Sequence, residues 1–256
     1  IHRPVNKEKQ KLLDVVDQFP HKKIAVWGDL ILDEYIYGTT RRISREAPVI
    51  ILSYRDKEFF LGGAGNALLN LKALGADPIP IGAIGQDASG KKILRILKGN
   101  SISTDFILTL KDFSTPIKTR ILAGDETSKK QQILRIDKEE KVPETKAVQN
   151  RIKRHIDRIR THADALLISD YNYMSVTGGV FSEAQKAYKK EKIPVTLDSR
   201  FRLLEFKGIT ISTPNEPEVE DALKIKLYDS LKTVTNAGKS LLLKSRSKAL
   251  LITRGS

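Results

Sequence analysis

At 256 residues with 40% apolar content, the chain is long enough for one large α/β domain or two small ones and apolar enough to bury a core. It has no cysteine, which excludes disulfides, thiolate nucleophiles and cysteine-ligated zinc and leaves the chemistry to carboxylates, amides, hydroxyls and cations. The 45 Lys and Arg against 31 Asp and Glu give a formal charge of +14, but the basic residues are dispersed over stretches of helical spacing, so nucleic acid is not the expected partner; no apolar run approaches the roughly 20 residues of a membrane span and the opening residues carry no signal-like apolar segment, so a cytoplasmic protein is expected.

From the amino end, polar amphipathic spacing predicts a helix at about Asn6 to Phe19. Short β-branched runs then alternate with helical stretches, the pattern of parallel strands joined by helical crossovers. The predicted strands are Ile24 to Trp27, Ile79 to Ile84, Ala165 to Ile168, Pro194 to Leu197, Ile209 to Thr213 and Ala249 to Thr253. The predicted helices are Asn66 to Leu74, Ser89 to Leu97, Glu144 to Thr161, Gly178 to Lys190, Glu216 to Leu223 and Leu231 to Ser245. Two regions, about 37–60 and 105–137, interrupt the alternation as β-rich excursions, with strands at Val49 to Leu52, Lys118 to Leu122 and Gln132 to Ile136. With no repeat and no Ser/Gly linker, the expected architecture is one α/β domain over residues 1–256 carrying a small β-sheet lid.

Ligands of an open parallel sheet bind outside the carboxyl ends of its strands. The residues that follow the predicted strands are consistently polar: Gly28-Asp29 with Asp33 nearby, Ser169-Asp170, Asp198, Pro214-Asn215 and Thr253-Arg254-Gly255. A single Asp at such a place is equally a turn former or a helix cap, whereas several on one edge repel one another unless they hold cations, hydroxyls or Mg-phosphate. The densest glycine cluster, Gly62-Gly63-Ala64-Gly65-Asn66, opens a helix, where backbone can approach a ligand; it is neither a Walker A sequence nor a dinucleotide fingerprint, and a tight turn accounts for it as well. His155 and His162, seven apart with no acidic cluster, are read as surface residues and not as metal ligands.

Gly62-Gly63-Ala64-Gly65-Asn66-Ala67 with Leu74-Gly75-Ala76, followed by Ile81-Gly82-Ala83-Ile84-Gly85-Gln86-Asp87 through Gly90, resembles two signature segments of the ribokinase/PfkB carbohydrate kinases. Within that family, Gly28 to Tyr35 with Tyr37-Gly38, and Arg42-Ile43-Ser44-Arg45-Glu46-Ala47-Pro48-Val49, look like the amino-terminal signature of the D-glycero-β-D-manno-heptose 7-phosphate kinases, including the kinase half of bifunctional ADP-heptose synthases. Gln132 to Asp137, Ser169-Asp170-Tyr171 and Thr213-Pro214-Asn215-Glu216-Pro217-Glu218 extend the likeness from about Lys22 onward.

The resemblance implies a ribokinase-like three-layer α/β fold with a β lid, ATP and Mg2+ as cofactors, and in-line transfer of the γ-phosphoryl group to a hydroxyl of a sugar or sugar phosphate, heptose 7-phosphate first. Carried over by position, it implies that Asp29, Asp33, Gly62, Gly63 and Asn66 hold sugar hydroxyls. Lys118 and Arg120 would face an existing phosphate, or else are exposed strand cations. Asp198, Asn215, Glu216, Glu218, Thr253, Arg254 and Gly255 would serve the nucleotide phosphates, Asn215 and Glu218 organising Mg2+ indirectly; the Asn-x-x-Glu spacing is equally a helix cap. Edges of the lid are candidates to pair two subunits. The family's Gly-Ala-Gly-Asp motif with its catalytic aspartate is absent before Ser256, so the chain is expected to be an inactive fragment lacking the carboxy-terminal part of the fold. Asp198-Ser199-Arg200 stands where heptose kinases carry Asp-Pro-Lys, and Asn172-Tyr173-Met174 where a small residue, Lys and Gly are usual, which leaves the sugar open. The competing readings are another sugar kinase of this family, a non-catalytic sugar- or nucleotide-binding module, and a basic nucleic-acid binder marked by salt-sensitive association.

Overall fold

In the computed structural model, which describes residues 7–124, 130–227 and 230–254, β1 (Lys23–Gly28) lies inside a seven-stranded parallel sheet. β4 (Asp77–Gly85) pairs on one side of it and β8 (Ala165–Asp170) on the other. Beyond β4 comes β5 (Ile107–Leu110); beyond β8 come β9 (Val195–Ser199), β10 (Ile211–Ser212) and β11 (Ala249–Leu250). After β1 the chain builds outward through β4 and β5, then returns to build the other way from β8. The switch point therefore lies between β1 and β8, and a crevice opens there at their carboxyl ends.

Side chains of a strand alternate between faces, and β1 divides its apolar residues accordingly. Ala25 and Trp27 enter a core shared with α4 (Lys146–Arg160), α5 (Gly178–Lys190) and α7 (Leu231–Ser245), while Val26 joins Leu68 and Ile93 on α2 (Ala64–Ala73) and α3 (Ala88–Gly99). Helices thus cover both faces, which is why the strands read as apolar runs without alternation. Two amphipathic helices carry their own start signals: Asp87 accepts from the Gly90 amide at 2.7 Å before α3, and Thr145 accepts from Val148 before α4. α5, α7 and α6 (Glu216–Leu223) occupy the ranges that periodicity predicts, and of the three only α6 is opened by a side-chain cap, from Asn215. α1 (Lys7–Val16) buries no residue, and no helix among the described residues is long and apolar enough to cross a membrane.

A second sheet has the order β3-β2-β6-β7, formed by β2 (Leu30–Ile43), β3 (Ile50–Gly63), β6 (Ile117–Ala123) and β7 (Gln131–Lys138). β2 pairs antiparallel with β3 and parallel with β6, and β6 pairs antiparallel with β7. Two expectations change here. The strand β2 begins at Leu30, one residue after β1, although sequence reading treats this stretch as the polar exit from β1. Leu30, Ile31 and Leu32 are all buried at its root, so no alternation marks it. Residues 107–110, assigned by sequence to the β-rich excursion, instead form the edge strand β5 of the large sheet, in register with Gly82 to Gly85. Four residues are too short a run to reveal which sheet they join. β10 and β11 are two-residue strands, shorter than expected.

Trp27 is fully buried and its indole Nε1 donates to the Ser175 carbonyl at 2.8 Å. Trp27→Ala is expected to cost about 3–5 kcal/mol in urea unfolding, through cavity and lost donor together. Leu243→Ala, at a side chain 81% exposed, is expected to stay within about 0.5 kcal/mol of the wild type.

Candidate functional site at the carboxyl ends of the strands

Gly28 ends β1 against Ser169 of β8, so close that a Cβ there would lie 2.2 Å from the Ser169 carbonyl oxygen. Asp29 follows, its amide donating to that same oxygen at 3.0 Å, and its own carbonyl accepts the Ala64 amide that opens α2. Gly63, at φ +55°, makes this approach feasible: a Cβ there would meet the Asp29 carbonyl at 2.4 Å. Both sheets and α2 therefore meet at one residue.

The Asp29 side chain is 1% exposed. One carboxylate oxygen accepts from the amides of Tyr171 at 2.8 Å and Tyr173 at 3.1 Å, and the other from Ser175 at 3.0 Å. The left-handed backbone of Asn172 (φ 66°) and Met174 (φ 67°) turns those three amides to the same side, as a nest around an anion. Burial and the nearby Asp170 carboxylate push the Asp29 carboxyl upward, and the three amides pull it back. Asp170, also fully buried, is neutralised by Arg202, which reaches it through Nε at 3.2 Å and through its NH2 group, and Ser199 donates to it at 2.7 Å. Asp29 and Asp170 thus organise the loop 171–175.

A cavity of about 860 Å³ lies between that loop, the start of α2 and the second sheet. Gly62, Gly63, Asn66 and Asp33 line it together. A Cβ at Gly62 would meet the Asp33 carboxylate at 2.6 Å, so a side chain there would push that carboxylate out of its present place. Arg120 bonds Asp33 at 2.5 Å, and Lys118 bonds Glu139 at 2.9 Å and Asp137 at 3.2 Å. Burial alone would depress the Lys118 ammonium, but Glu139, Tyr173 and Asp137 hold it above the usual lysine range. The Tyr173 hydroxyl, pushed up to about 12 by burial and by Glu139, stays protonated and donates to Glu139. The cavity is lined by five cations (Lys118, Arg120, Arg135, Lys141, Arg200) and four carboxylates (Asp33, Asp137, Glu139, Glu140), so it is nearly charge-balanced.

A smaller cavity of about 220 Å³ adjoins it, lined by Asp198, Thr213, Asn215, Glu218 and Thr253; Tyr171 and Arg200 line both cavities. Asn215 is the N-cap of α6 in a reciprocal capping box: its side chain accepts the Glu218 amide at 2.9 Å, and Glu218 accepts the Asn215 amide at 2.9 Å. The capping reading of this pair and its place in the cavity are therefore both realised. Burial raises the carboxyls of both Asp198 and Glu218, and neighbouring carboxylates raise them further: Asp170 acts on Asp198, and Asp198 on Glu218.

Of the residues expected to hold the sugar, Asp33, Gly62, Gly63, Asn66, Lys118 and Arg120 share the larger cavity. Asp29 does not: its oxygens are occupied by backbone amides, so it is a positioning residue, and the correction follows from amides 142 to 146 residues away that no local pattern reveals. In the phosphate set, Asp198, Asn215, Glu218 and Thr253 share the smaller cavity, whereas Glu216 turns away from it to pair with Arg254 at 2.6 Å. Gly255 lies outside the described residues. Tyr171, Arg200, Asp137 and Glu139 were not read as site residues; the signal available was their place after β8, after β9 and at the end of β7. His155 is half-buried, its Nδ1 3.0 Å from the Phe106 carbonyl oxygen. Among the described residues no three His, Asp or Glu side chains gather as a ready metal cluster.

The profile described as pfkB family carbohydrate kinase matches residues 21–256. A bifunctional protein HldE of Pelobacter propionicus is 33% identical over 96% of this chain and 50% of its own length, and one of Gluconobacter oxydans is 36% identical over 81% and 43%. The chain spans about half the length of the curated relatives it matches. Among solved structures, Arabidopsis thaliana ribokinase complexed with ribose and ATP superposes with a TM-score of 0.66 at 20% identity, covering 92% of this chain and 72% of that one. Phosphofructokinase-2 from Escherichia coli in complex with fructose-6-phosphate superposes at 0.70 with 16% identity, covering 91% and 74%. The fold is thus ribokinase-like, an α/β sheet with a small mixed sheet beside it.

Asp29→Asn puts an NH2 donor where the carboxylate has an acceptor, leaving at least one loop amide unpaired. The expected cost is about 1–3 kcal/mol in urea unfolding. Amide exchange at Tyr171, Tyr173 and Ser175 is expected to speed up by about tenfold or more, with β9 amides following only the global change.

Proposed function

The chain belongs to the pfkB family of carbohydrate kinases, and from that premise we propose that it binds a phosphorylated sugar, heptose 7-phosphate first, for phosphorylation by ATP. The observation that supports this reading is the contact between two unlike cavities through Tyr171 and Arg200: one fit for a polyol phosphate, the other lined by carboxylates with raised affinity for protons. The likeness of Gly28 to Tyr35 and Arg42 to Val49 to the heptose 7-phosphate kinase signature, together with the HldE relatives, is the ground for placing heptose before other sugars.

In this reading Asp33 and Asn66 accept and donate hydrogen bonds to the sugar hydroxyls, and the bare backbone at Gly62 and Gly63 lets the ring approach. Lys118 and Arg120 exchange their present carboxylate partners for the sugar's phosphate, with Arg200 set between acceptor and nucleotide phosphates. A magnesium ion suits the carboxylate and hydroxyl oxygens that Asp198, Glu218, Thr213 and Thr253 bring to the smaller cavity. Asp198 and Glu218 would hold it, partly through water, as befits an ion that keeps much of its hydration. Bound Mg-ATP supplies the phosphoryl group and the neutralisation of its charge. Raised carboxyls give Asp198 and Glu218 a further property: protons compete with the metal for them. No base is assigned among the described carboxylates, since Asp29 is sealed by amides and Asp33 is paired with Arg120. We further propose that the second sheet is a lid whose edge strands β3 and β7, with Tyr54, Ile133 and Ile136 exposed, pair with a second copy, which light scattering would reveal as a dimer.

Calorimetric titration with heptose 7-phosphate, the unphosphorylated heptose and fructose 6-phosphate tests the reading. Heptose 7-phosphate is expected to bind at least about tenfold tighter than the free heptose, and Lys118→Met with Arg120→Met is expected to erase that difference. Equal binding of both forms would remove the phosphate assignment, and a tenfold preference for fructose 6-phosphate would replace the heptose.

Asp198→Asn is expected to weaken Mg2+ binding and yet raise the metal-free Tm at pH 7 by about 1–3 °C, since a buried charge is removed. A carboxyl raised in the folded state binds protons preferentially there, so the wild type gains on the variant as pH falls. The Tm gap should close through the window just above the usual carboxylate range. Scanning calorimetry of both proteins from pH 7 to 4 measures it.

A further inference from the structure

At the opposite end of the large sheet from both cavities, a third cavity of about 640 Å³ opens where β9 and β10 begin. Five cations line it: Lys189, Lys192, Lys207, Arg246 and Lys248. No Asp or Glu does. None of the five has a carboxylate partner among the described residues. This contrasts with the larger cavity of the candidate site, where four carboxylates offset five cations.

The rim is held by its own hydrogen bonds and does not depend on the charged side chains. The Gly208 amide donates to the Ser245 carbonyl at 2.8 Å, Lys248 to Ile209 at 3.1 Å, Thr210 to Val195 at 2.8 Å, and the Gln185 side chain to the Lys207 carbonyl. Three residues in the left-handed region shape it: Lys192 (φ 61°), Gly208 (φ 74°) and Arg246 (φ 54°). Lys192 follows the end of α5 and Arg246 caps α7, places where glycine is the undemanding choice and a side chain costs stability. Two of these three positions carry a long cation instead, and both turn into one concavity whose floor is apolar, with Ile193, Pro194 and Val195.

We propose that this cavity is a binding site for a small polyphosphate anion, remote from the candidate kinase site. Convergence on a concavity the size of a nucleotide favours a compact multiply charged anion over a long polymer, which would need a stripe of charge along a face. The shared chemistry is a chain of phosphates, whether inorganic or the tail of a nucleotide.

Inorganic tripolyphosphate, titrated calorimetrically into the whole chain at low ionic strength without divalent ions, is the probe. One equivalent is expected to bind, and Lys192→Gly with Arg246→Gly should weaken it by about tenfold or more while relieving backbone strain, so misfolding does not explain the loss. Lys207→Gln with Lys248→Gln, which leaves the turns untouched, should show the same loss. Arg200→Gln, in the candidate site, should leave affinity within about twofold. With metal-free ATP, a binding step that disappears in both double variants identifies nucleotides as the source, and its absence identifies inorganic polyphosphate. Unchanged affinity in both double variants, or saturation at several equivalents, would overturn the site and leave only solvated lysines complementing helix ends. Displacement of the probe by a short single-stranded DNA that binds more tightly would overturn it in favour of nucleic acid.

Discussion

The carboxylate of Asp29 sits at the root of both sheets without access to water, and satisfying that charge dictates the shape of the loop above it. Three amides of residues 171–175 converge on it, while the adjacent Asp170 is met by Arg202 and Ser199. A buried charge left unpaired costs several kcal/mol, so the loop has little freedom to adopt another conformation once the sheet has formed. Tyr171 and Tyr173 are thereby held at the mouth of the larger cavity, and Tyr171 also at the smaller one. The shape of the loop beside the candidate site thus follows from a buried ion cluster that lines neither cavity.

Topology does the rest. Because β2 leaves β1 after a single residue and β3 runs directly into α2, the second sheet is rooted at the switch point and carries Asp33, Lys118 and Arg120 over the crevice. The register places Asp33 opposite Lys118 and Tyr35 opposite Arg120 on β2 and β6, so acid and base alternate across one face and neutralise each other. Strand ends of the large sheet supply Asp198 and Asn215 beside them. The two cavities differ in lining: the larger mixes five cations with four carboxylates, the smaller gathers Asp198 and Glu218, and Arg200 lies on the boundary between them.

The charge of +14 is correspondingly not concentrated where the chemistry is proposed. The larger cavity is near neutrality and the smaller one gathers acidic groups, while unpaired cations collect at the far end of the sheet. Net charge therefore says little about the candidate site. Its local arrangement, with Lys118 held charged by two carboxylates and a phenol, is what bears on affinity.

Much of the fold was legible in consecutive residues. Helices α5 and α7 and the interior strands follow from apolar spacing, α6 from spacing with a capping box, and the polar residues after β1, β8 and β9 marked the edge where the two candidate cavities lie. The places where the structure departs from the sequence reading, Asp29 and Glu216 outside both cavities and residues 107–110 in the large sheet, share one physical cause. Periodicity, turn chemistry and motif spacing are local, and by themselves they determined the α/β class, the glycine cluster at Gly62 and Gly63, and the end of the sheet where the two candidate cavities lie. Which carboxylates remain open to a ligand was decided only by tertiary structure. It depends on donors more than a hundred residues away, such as the amides that close over Asp29, or across the fold, such as the guanidinium of Arg254 on Glu216.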